Sequence, residues 1–238
     1  MTGPLLFRAE RIAKRFGGFT ALDSVDFDVA AGERVGLIGP NGSGKSTLVG
    51  CASGSLRNNE GAIWFEGRRI DRLSPHERVR AGLVRSFQLP RPFRGLTIAE
   101  NLRVPLFFAG RAGRDSRAID EALDFVGLSA RRDAMPADLT QVDLRKLDLA
   151  RATVAEPRLL FVDEAMAGLS QSEVDEILAL LMRMNARGVA IVMIEHIMRA
   201  VTAFAERLLV FVAGRKIADV PTAEVLRLKE VEAAYLGE

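Results

Sequence analysis

The chain reads as an α/β protein: a parallel-sheet core, an antiparallel β-region at its N-terminal end, and a helical region inserted between core strands. Three observations carry that reading. Val25, Phe27 and Val29 alternate with Asp26 and Asp28, the two-residue period of an antiparallel strand with one solvated face. Short continuous apolar runs at 35–38, 159–162 and 189–194 have the composition of strands buried on both faces, as parallel strands are. Between the first two of these runs the pattern turns helical.

Taken in order, residues 62–65 and 68–70 flank Glu66-Gly67 and are expected to form a hairpin. Ser74-Pro-His-Glu77 has capping-box spacing with proline at the first helical position, and Thr97-Ile-Ala-Glu100 repeats the spacing. Residues 83–87 read as a short strand between them. Ile119, Ala122, Leu123, Phe125 and Val126 fall on one helical face within 117–127. A helix from about 172 to 184 links the last two buried strands. Residues 208–212 and 216–218, joined at Ala213-Gly214, are expected as a late hairpin before a last short helix. The expected organisation is one domain over 1–238. Its core and antiparallel subdomain occupy 1–87 and 150–218, a helical subdomain 88–149, and a C-terminal helix 219–238.

Composition sets bounds on function. The 238 residues, 48% hydrophobic, suffice to bury a core. Lys and Arg number 33 against 31 Asp and Glu, a scattered excess of +2 with no basic stripe, so a nucleic-acid partner is not expected. The single Cys51 excludes an internal disulfide framework and suits a reducing compartment. The opening MTGPLLFRAERIAKRF has no apolar stretch of the secretory kind, so no leader is expected. No apolar run approaches the ~18 residues of a membrane span, and the longest, 104–110, is interrupted by Pro105. Work at a membrane would be done from the side, through a partner.

The chemistry concentrates in two motifs. Gly39-Pro-Asn41-Gly42-Ser43-Gly44-Lys45-Ser46-Thr47 matches the G-x-x-x-x-G-K-[ST] phosphate loop and follows a buried strand into a helix. Glycines let successive N–H groups converge on one anion, and the helix adds the positive end of its dipole. Lys45 can reach the β/γ-phosphates and the Ser46 hydroxyl can ligate Mg²⁺. The strand at 159–162 delivers Asp163 and Glu164 to its C-terminal end, the edge where open α/β sheets bind ligands. Asp163 can hold the hydration shell of Mg²⁺, and Glu164 can take a proton from an attacking water. A P-loop NTPase (RecA-like) core that binds a nucleotide and Mg²⁺ is therefore expected.

With both motifs placed, nearly the whole chain resembles the ATP-binding-cassette (ABC) ATPases, which implies that the nucleotide is ATP. In that family Ser86-Phe-Gln88 corresponds to a loop whose glutamine senses Mg²⁺ and water, and Ile194-Glu-His196 to a switch histidine at the γ-phosphate. Alone, Gln88 would read as a surface loop residue. His76, the other histidine, sits in a capping turn and reads as structural. Phe16 falls where the family stacks an aromatic on adenine; a core role for Phe16 is the alternative, and Phe19 a second candidate. Phe16-Gly-Gly-Phe-Thr-Ala-Leu22, Ala167-Gly-Leu169 and the terminal Ala-Tyr-Leu-Gly-Glu238 resemble the branched-chain amino-acid importer ATPases. Lipopolysaccharide-type export ATPases share some of these stretches.

One stretch departs from the family. ABC ATPases act as head-to-tail dimers, each phosphate loop facing the partner's Leu-Ser-Gly-Gly-Gln signature turn. Here that place holds Leu139-Thr140-Gln141-Val142-Asp143, with no glycine. Gln141 and Val142 carry Cβ atoms where glycine allows close approach, and Asp143 is an acid where a phosphate would arrive. Thr140 and Asp143 instead have the spacing of an N-cap with a dipole-matched acid. Ala165 stands where proline is usual, and Ser170 where an acid or Asn is usual; Ser170-Gln-Ser-Glu173 has capping-box spacing of its own.

The resemblance implies a peripheral ATPase subunit at the cytoplasmic face of the inner membrane, driving solute transport through transmembrane permease subunits and served indirectly by a periplasmic solute-binding protein. The apolar, proline-rich segment 89–96 would meet the permease. The intact Lys45, Ser46, Gln88, Asp163, Glu164 and His196 beside a degraded 139–143 turn favour a heterodimer with a second ATPase subunit over a homodimer. A catalytically weak or regulatory subunit is the alternative. Soluble ABC ATPases of DNA repair or of ribosomes fit less well, because the chain has one cassette and no sustained heptads.

Overall fold

The computed structural model describes residues 4–86, 90–110 and 115–225. Its strands are β1 (Leu5–Phe16), β2 (Phe19–Ala30), β3 (Arg34–Ile38), β4 (Glu60–Phe65), β5 (Arg68–Arg69), β6 (Leu83–Arg85), β7 (Leu159–Asp163), β8 (Ala190–Ile194), β9 (Arg207–Val212) and β10 (Arg215–Pro221). Its α-helices are α1 (Lys45–Ser53), α2 (Pro75–Arg80), α3 (Ile98–Phe108), α4 (Asp115–Val126), α5 (Gln141–Val154), α6 (Gln171–Ala186), α7 (Met198–Phe204) and α8 (Thr222–Val225).

Two sheets form. An antiparallel one runs β2-β1-β4-β5, with Val25, Phe27 and Val29 buried and Asp26 and Asp28 exposed, as their alternation requires. The other runs β10-β9-β3-β8-β7-β6; its neighbours are parallel from β9 to β6, and only β10 is antiparallel. β8 lies between β3 and β7, an order that sequence could not supply, and it brings the C-terminal tips of β3, β8 and β7 side by side.

Both faces of the parallel sheet are covered, which explains its unbroken apolar runs. Along β7, Phe161 joins the core made with α1 and the antiparallel sheet, while Leu160 and Val162 join the core made with α3, α4, α5 and α6. Gly36 in β3 is required by packing: a Cβ there would lie 2.3 Å from the Leu208 side chain. The hairpins at 60–69 and 207–221 form as expected. β6 covers 83–85 of the expected 83–87, of which residues 87–89 lie outside the described ones.

Caps set the helix starts. Glu77 Oε2 accepts the Ser74 N–H at 2.7 Å, Glu100 Oε2 the Thr97 N–H at 2.8 Å, and Glu173 Oε2 the Ser170 N–H at 2.7 Å. α5 runs unbroken to Val154, across the 149/150 boundary expected between helical and core segments. β10 runs on to Pro221, where a C-terminal helix was expected from 219; α8 follows, and residues beyond 225 lie outside the described ones. Among the described residues, no helix is long and apolar enough to cross a membrane.

Candidate active site

β3 hands the chain to a loop that closes over its own tip. Gly39, Gly42 and Gly44 have φ of 150°, 78° and 101°. A Cβ on Gly39 would lie 2.1 Å from the Phe211 carbonyl oxygen, and one on Gly44 2.6 Å from that of Ala21. Conformation and close approach both demand glycine at 39 and 44. Lys45 Nζ bends back to donate to the carbonyls of Gly39 at 2.7 Å and Pro40 at 2.9 Å, so the ammonium stands over the loop. The N–H groups of Lys45, Ser46 and Thr47 open α1 and have no acceptor within it. Ser43 Oγ is buried and, among the described residues, has no hydrogen-bond partner; Ser43 lines the loop cavity. The loop bounds an open cavity of about 240 Å³ lined also by Phe16, Phe19, Ala21 and Glu164.

Phe16 and Phe19 face each other across the tip of the β1–β2 hairpin. Phe16 is 46% exposed, so the core role open to it from sequence does not hold. Lys14 Nζ lies 4.9 Å from its ring centroid. Phe19, 62% exposed, lines the same cavity.

The two carboxylates sit at the tip of β7, which is separated from β3 by β8. Asp163 is buried, and its Oδ2 accepts a hydrogen bond from Arg85 Nη2 at 2.6 Å. Glu164 has φ of +45°, a strained conformation for a residue with a side chain, and its N–H donates to the Ile194 carbonyl at 2.9 Å. That geometry turns the Glu164 side chain out of the sheet toward the next loop, where Oε1 lies 2.6 Å from His196 Nε2. With the carboxylate ionised, the imidazole N–H is the donor. Burial depresses the Lys45 ammonium from its usual range, opposed by the charges of Glu164 and Asp163.

Phosphate loop, Asp163, Glu164 and His196 thus converge on one edge of one sheet. Gln88 lies outside the described residues. His76 lies in the first turn of α2, whose cap is Ser74; its ring is 3.0 Å from Ser74 Oγ and away from the loop cavity. Two residues at the site escaped the sequence reading. Arg85 bonds Asp163, and Glu195, 1% exposed, sits between β8 and His196. A charge inside the apolar stretches 83–85 and 189–196 was the only available signal.

The 139–143 turn is a capped helix start. Asp143 N–H donates to Thr140 Oγ1 at 3.2 Å, and Gln141 is exposed. Val142 packs against the helical core, so its side chain is taken up inside the subdomain. Asp143 lies 3.6 Å from Lys146, which bonds Glu176 at 2.7 Å. The start of α5 therefore already holds its own anion and counter-ion. Beside it lies a second cleft, of about 580 Å³, lined by Pro90, Pro92, Arg94, Leu139 and Gln141.

Comparisons with known proteins bear on this geometry. The profile of the family described as ABC transporter matches residues 22–167. A probable branched-chain amino acid transport ATP-binding protein, LivG, of Methanocaldococcus jannaschii is 32% identical over 98% of both chains. The high-affinity branched-chain amino acid transport ATP-binding protein LivG of Escherichia coli K12 is 33% identical over the full length of both. An ATP-binding cassette of an ABC transporter, solved in its ADP conformation, superposes with a TM-score of 0.88 at 30% identity, over 98% of this chain and 99% of that one.

Proposed function

The chain belongs to the ABC transporter ATPase family, and from that premise we propose that it powers import of branched-chain amino acids or similar small solutes as one half of an ATP-dependent dimer beneath membrane permease subunits. The observation that carries the reading is the convergence of a complete phosphate loop with Asp163 and the Glu164–His196 contact at 2.6 Å. The LivG relatives' names support the solute class.

Each residue has a task in this reading. Loop N–H groups and Lys45 hold the phosphates, and Phe16 or Phe19 stacks the base. Glu164 accepts the proton of the attacking water while His196, bonded to it, fixes its orientation and faces the γ-phosphate. Ser46, exposed at the start of α1, with Asp163 and Gln88 would hold Mg²⁺. Mg²⁺ would supply neutralisation of charge on the β- and γ-oxygens. Arg85 holds the Asp163 carboxylate in place through their 2.6 Å bond. The subunit would sit at the cytoplasmic face of the membrane, with 90–96 toward a permease.

The groups a subunit lends its own site are all in place, whereas the turn it lends to its partner's site is a capped, acid-bearing helix start. We infer a heterodimer: a partner with an intact signature turn completes this chain's site, and the partner's own site is the weak one. The same degraded turn supports a second reading, a regulatory subunit. Glu164→Gln in the assembled complex separates them. Turnover should fall by roughly 10²–10⁴-fold with ATP still bound; unchanged turnover would leave the regulatory reading.

A further inference from the structure

Glu195 is a buried carboxylate that the chemistry above does not use. It follows β8 directly, and its two oxygens are committed to backbone: Oε1 accepts the Met166 N–H at 2.8 Å and Oε2 the His196 N–H at 3.3 Å. Met166 lies two residues beyond Glu164 and is fully buried. One side chain thus ties the turn after the proposed base to the turn that carries the histidine.

The turn after Glu164 is gripped from a second side. Arg145, on α5 and 5% exposed, donates from Nη2 to the Ala167 carbonyl at 3.4 Å; burial lowers the pKa of its guanidinium, opposed by the charges of Asp148 and then Glu195. The N–H of Met166 is therefore held from the β8–α7 loop and the C=O of Ala167 from α5. Two further backbone bonds, Ala167 N–H to Glu164 C=O at 3.4 Å and Leu169 N–H to Met166 C=O at 3.2 Å, keep the turn itself tight. Displacement of α5 then has a short path to the Glu164–His196 contact.

We propose that Glu195 is a positioning residue for hydrolysis, and that with Arg145 it forms a two-sided clamp on residues 166–167, coupling the helix behind the 139–143 turn to the geometry of Glu164 and His196. It rests on the reading of the chain as an ATPase subunit. Neither residue touches nucleotide in this account; both act through backbone. The physical basis is that a proton acceptor must stand within hydrogen-bond reach of its proton, and a carboxylate anchored to two amides fixes that reach more tightly than solvent does.

The test uses the chain assembled with its partner ATPase and permeases. Glu195→Ala should lower kcat by roughly ten- to hundredfold with little change in the KM for ATP. Glu195→Gln keeps one oxygen for Met166 N–H but sets an amide NH2 against His196 N–H, so it should recover part of the loss. Amide hydrogen exchange in Glu195→Ala should rise at 164–168 and 196–198 but not in the phosphate loop. Arg145→Ala combined with Glu195→Ala should cost less than the product of the single losses, since both hold one turn. Three results would overturn the proposal: wild-type kcat in Glu195→Ala, equal loss in the Ala and Gln variants, or independent single losses that multiply. Lys45→Ala separates this inference from the reading beneath it. If Lys45→Ala abolishes turnover while Glu195→Ala spares it, the clamp alone fails. If turnover survives Lys45→Ala, the ATPase assignment fails and the clamp with it.

Discussion

Arg85 and Asp163 show what single side chains contribute at the reactive edge. The Asp163 carboxylate is buried and is bonded to a guanidinium that is itself largely buried. Arg85→Ala leaves that carboxylate short of its charged partner and should cost about 3 kcal/mol, read as a lowered urea midpoint. Arg85→Lys should recover less than half, because an ammonium lacks the planar fork. Cys51 gives a pH signature. Burial, partly offset by Lys14 and Arg78, raises its thiol from 9.0 to about 11. A raised acid stabilises the fold fully below its unfolded value, and the contribution is lost as pH rises through the folded one. Stability should therefore fall between 9.0 and about 11, and Cys51→Ala should flatten that part of the curve. The phosphate loop, Asp163 and Glu164 were legible because each belongs to a local pattern, and His196 through the resemblance to the family. Arg85 and Glu195 were not, since Glu195 gains its role from Met166 and Arg85 from Asp163, contacts made only by the β7–β8 and β6–β7 pairings.

Helices α2, α3, α5 and α6 begin where capping chemistry says they should, and that chemistry was readable. Thr140, the cap of α5, accepts the Asp143 N–H, so Thr140→Ala should lower stability by about 1 kcal/mol in chemical denaturation. Val142→Gly, which would restore a family glycine, should destabilise by about 1–2 kcal/mol, because Val142 packs on the helical core and glycine weakens a helix. Restoring the turn thus conflicts with the packing that replaced it. Asn101 was not legible. Fully buried on α3, it donates from Nδ2 to the carbonyls of Phe93 at 3.1 Å, Leu96 at 3.1 Å and Thr97 at 2.9 Å, and accepts the Phe93 N–H at 2.8 Å. It ties the segment proposed to meet the permease to the helical subdomain. Asn101→Ala should cost about 1–3 kcal/mol and raise amide exchange across 93–97. Strand ends were read least well at β10, an edge strand. Ile217 is exposed there, and Asp219 pairs with Lys216 and Arg207, so no clean alternation marks its end.

The whole molecule is asymmetric in what it offers. Its own edge carries a glycine loop, two carboxylates and a histidine in bonded contact. The face proposed to meet a partner offers Thr140, Gln141 and Asp143, with Asp143 beside Lys146. Such a chain should hydrolyse ATP when a partner supplies the missing turn. The decisive measurement is the ATPase rate of the purified chain alone, then mixed with a second ATPase subunit bearing an intact signature turn, with the proposed catalytic glutamate changed to glutamine in one subunit at a time. The expected result is slow turnover alone, acceleration on mixing, and loss of that acceleration with Glu164→Gln in this chain but not with the matching change in the partner. Brisk turnover by this chain alone, undiminished by Gln141→Ala or Asp143→Ala, would contradict it.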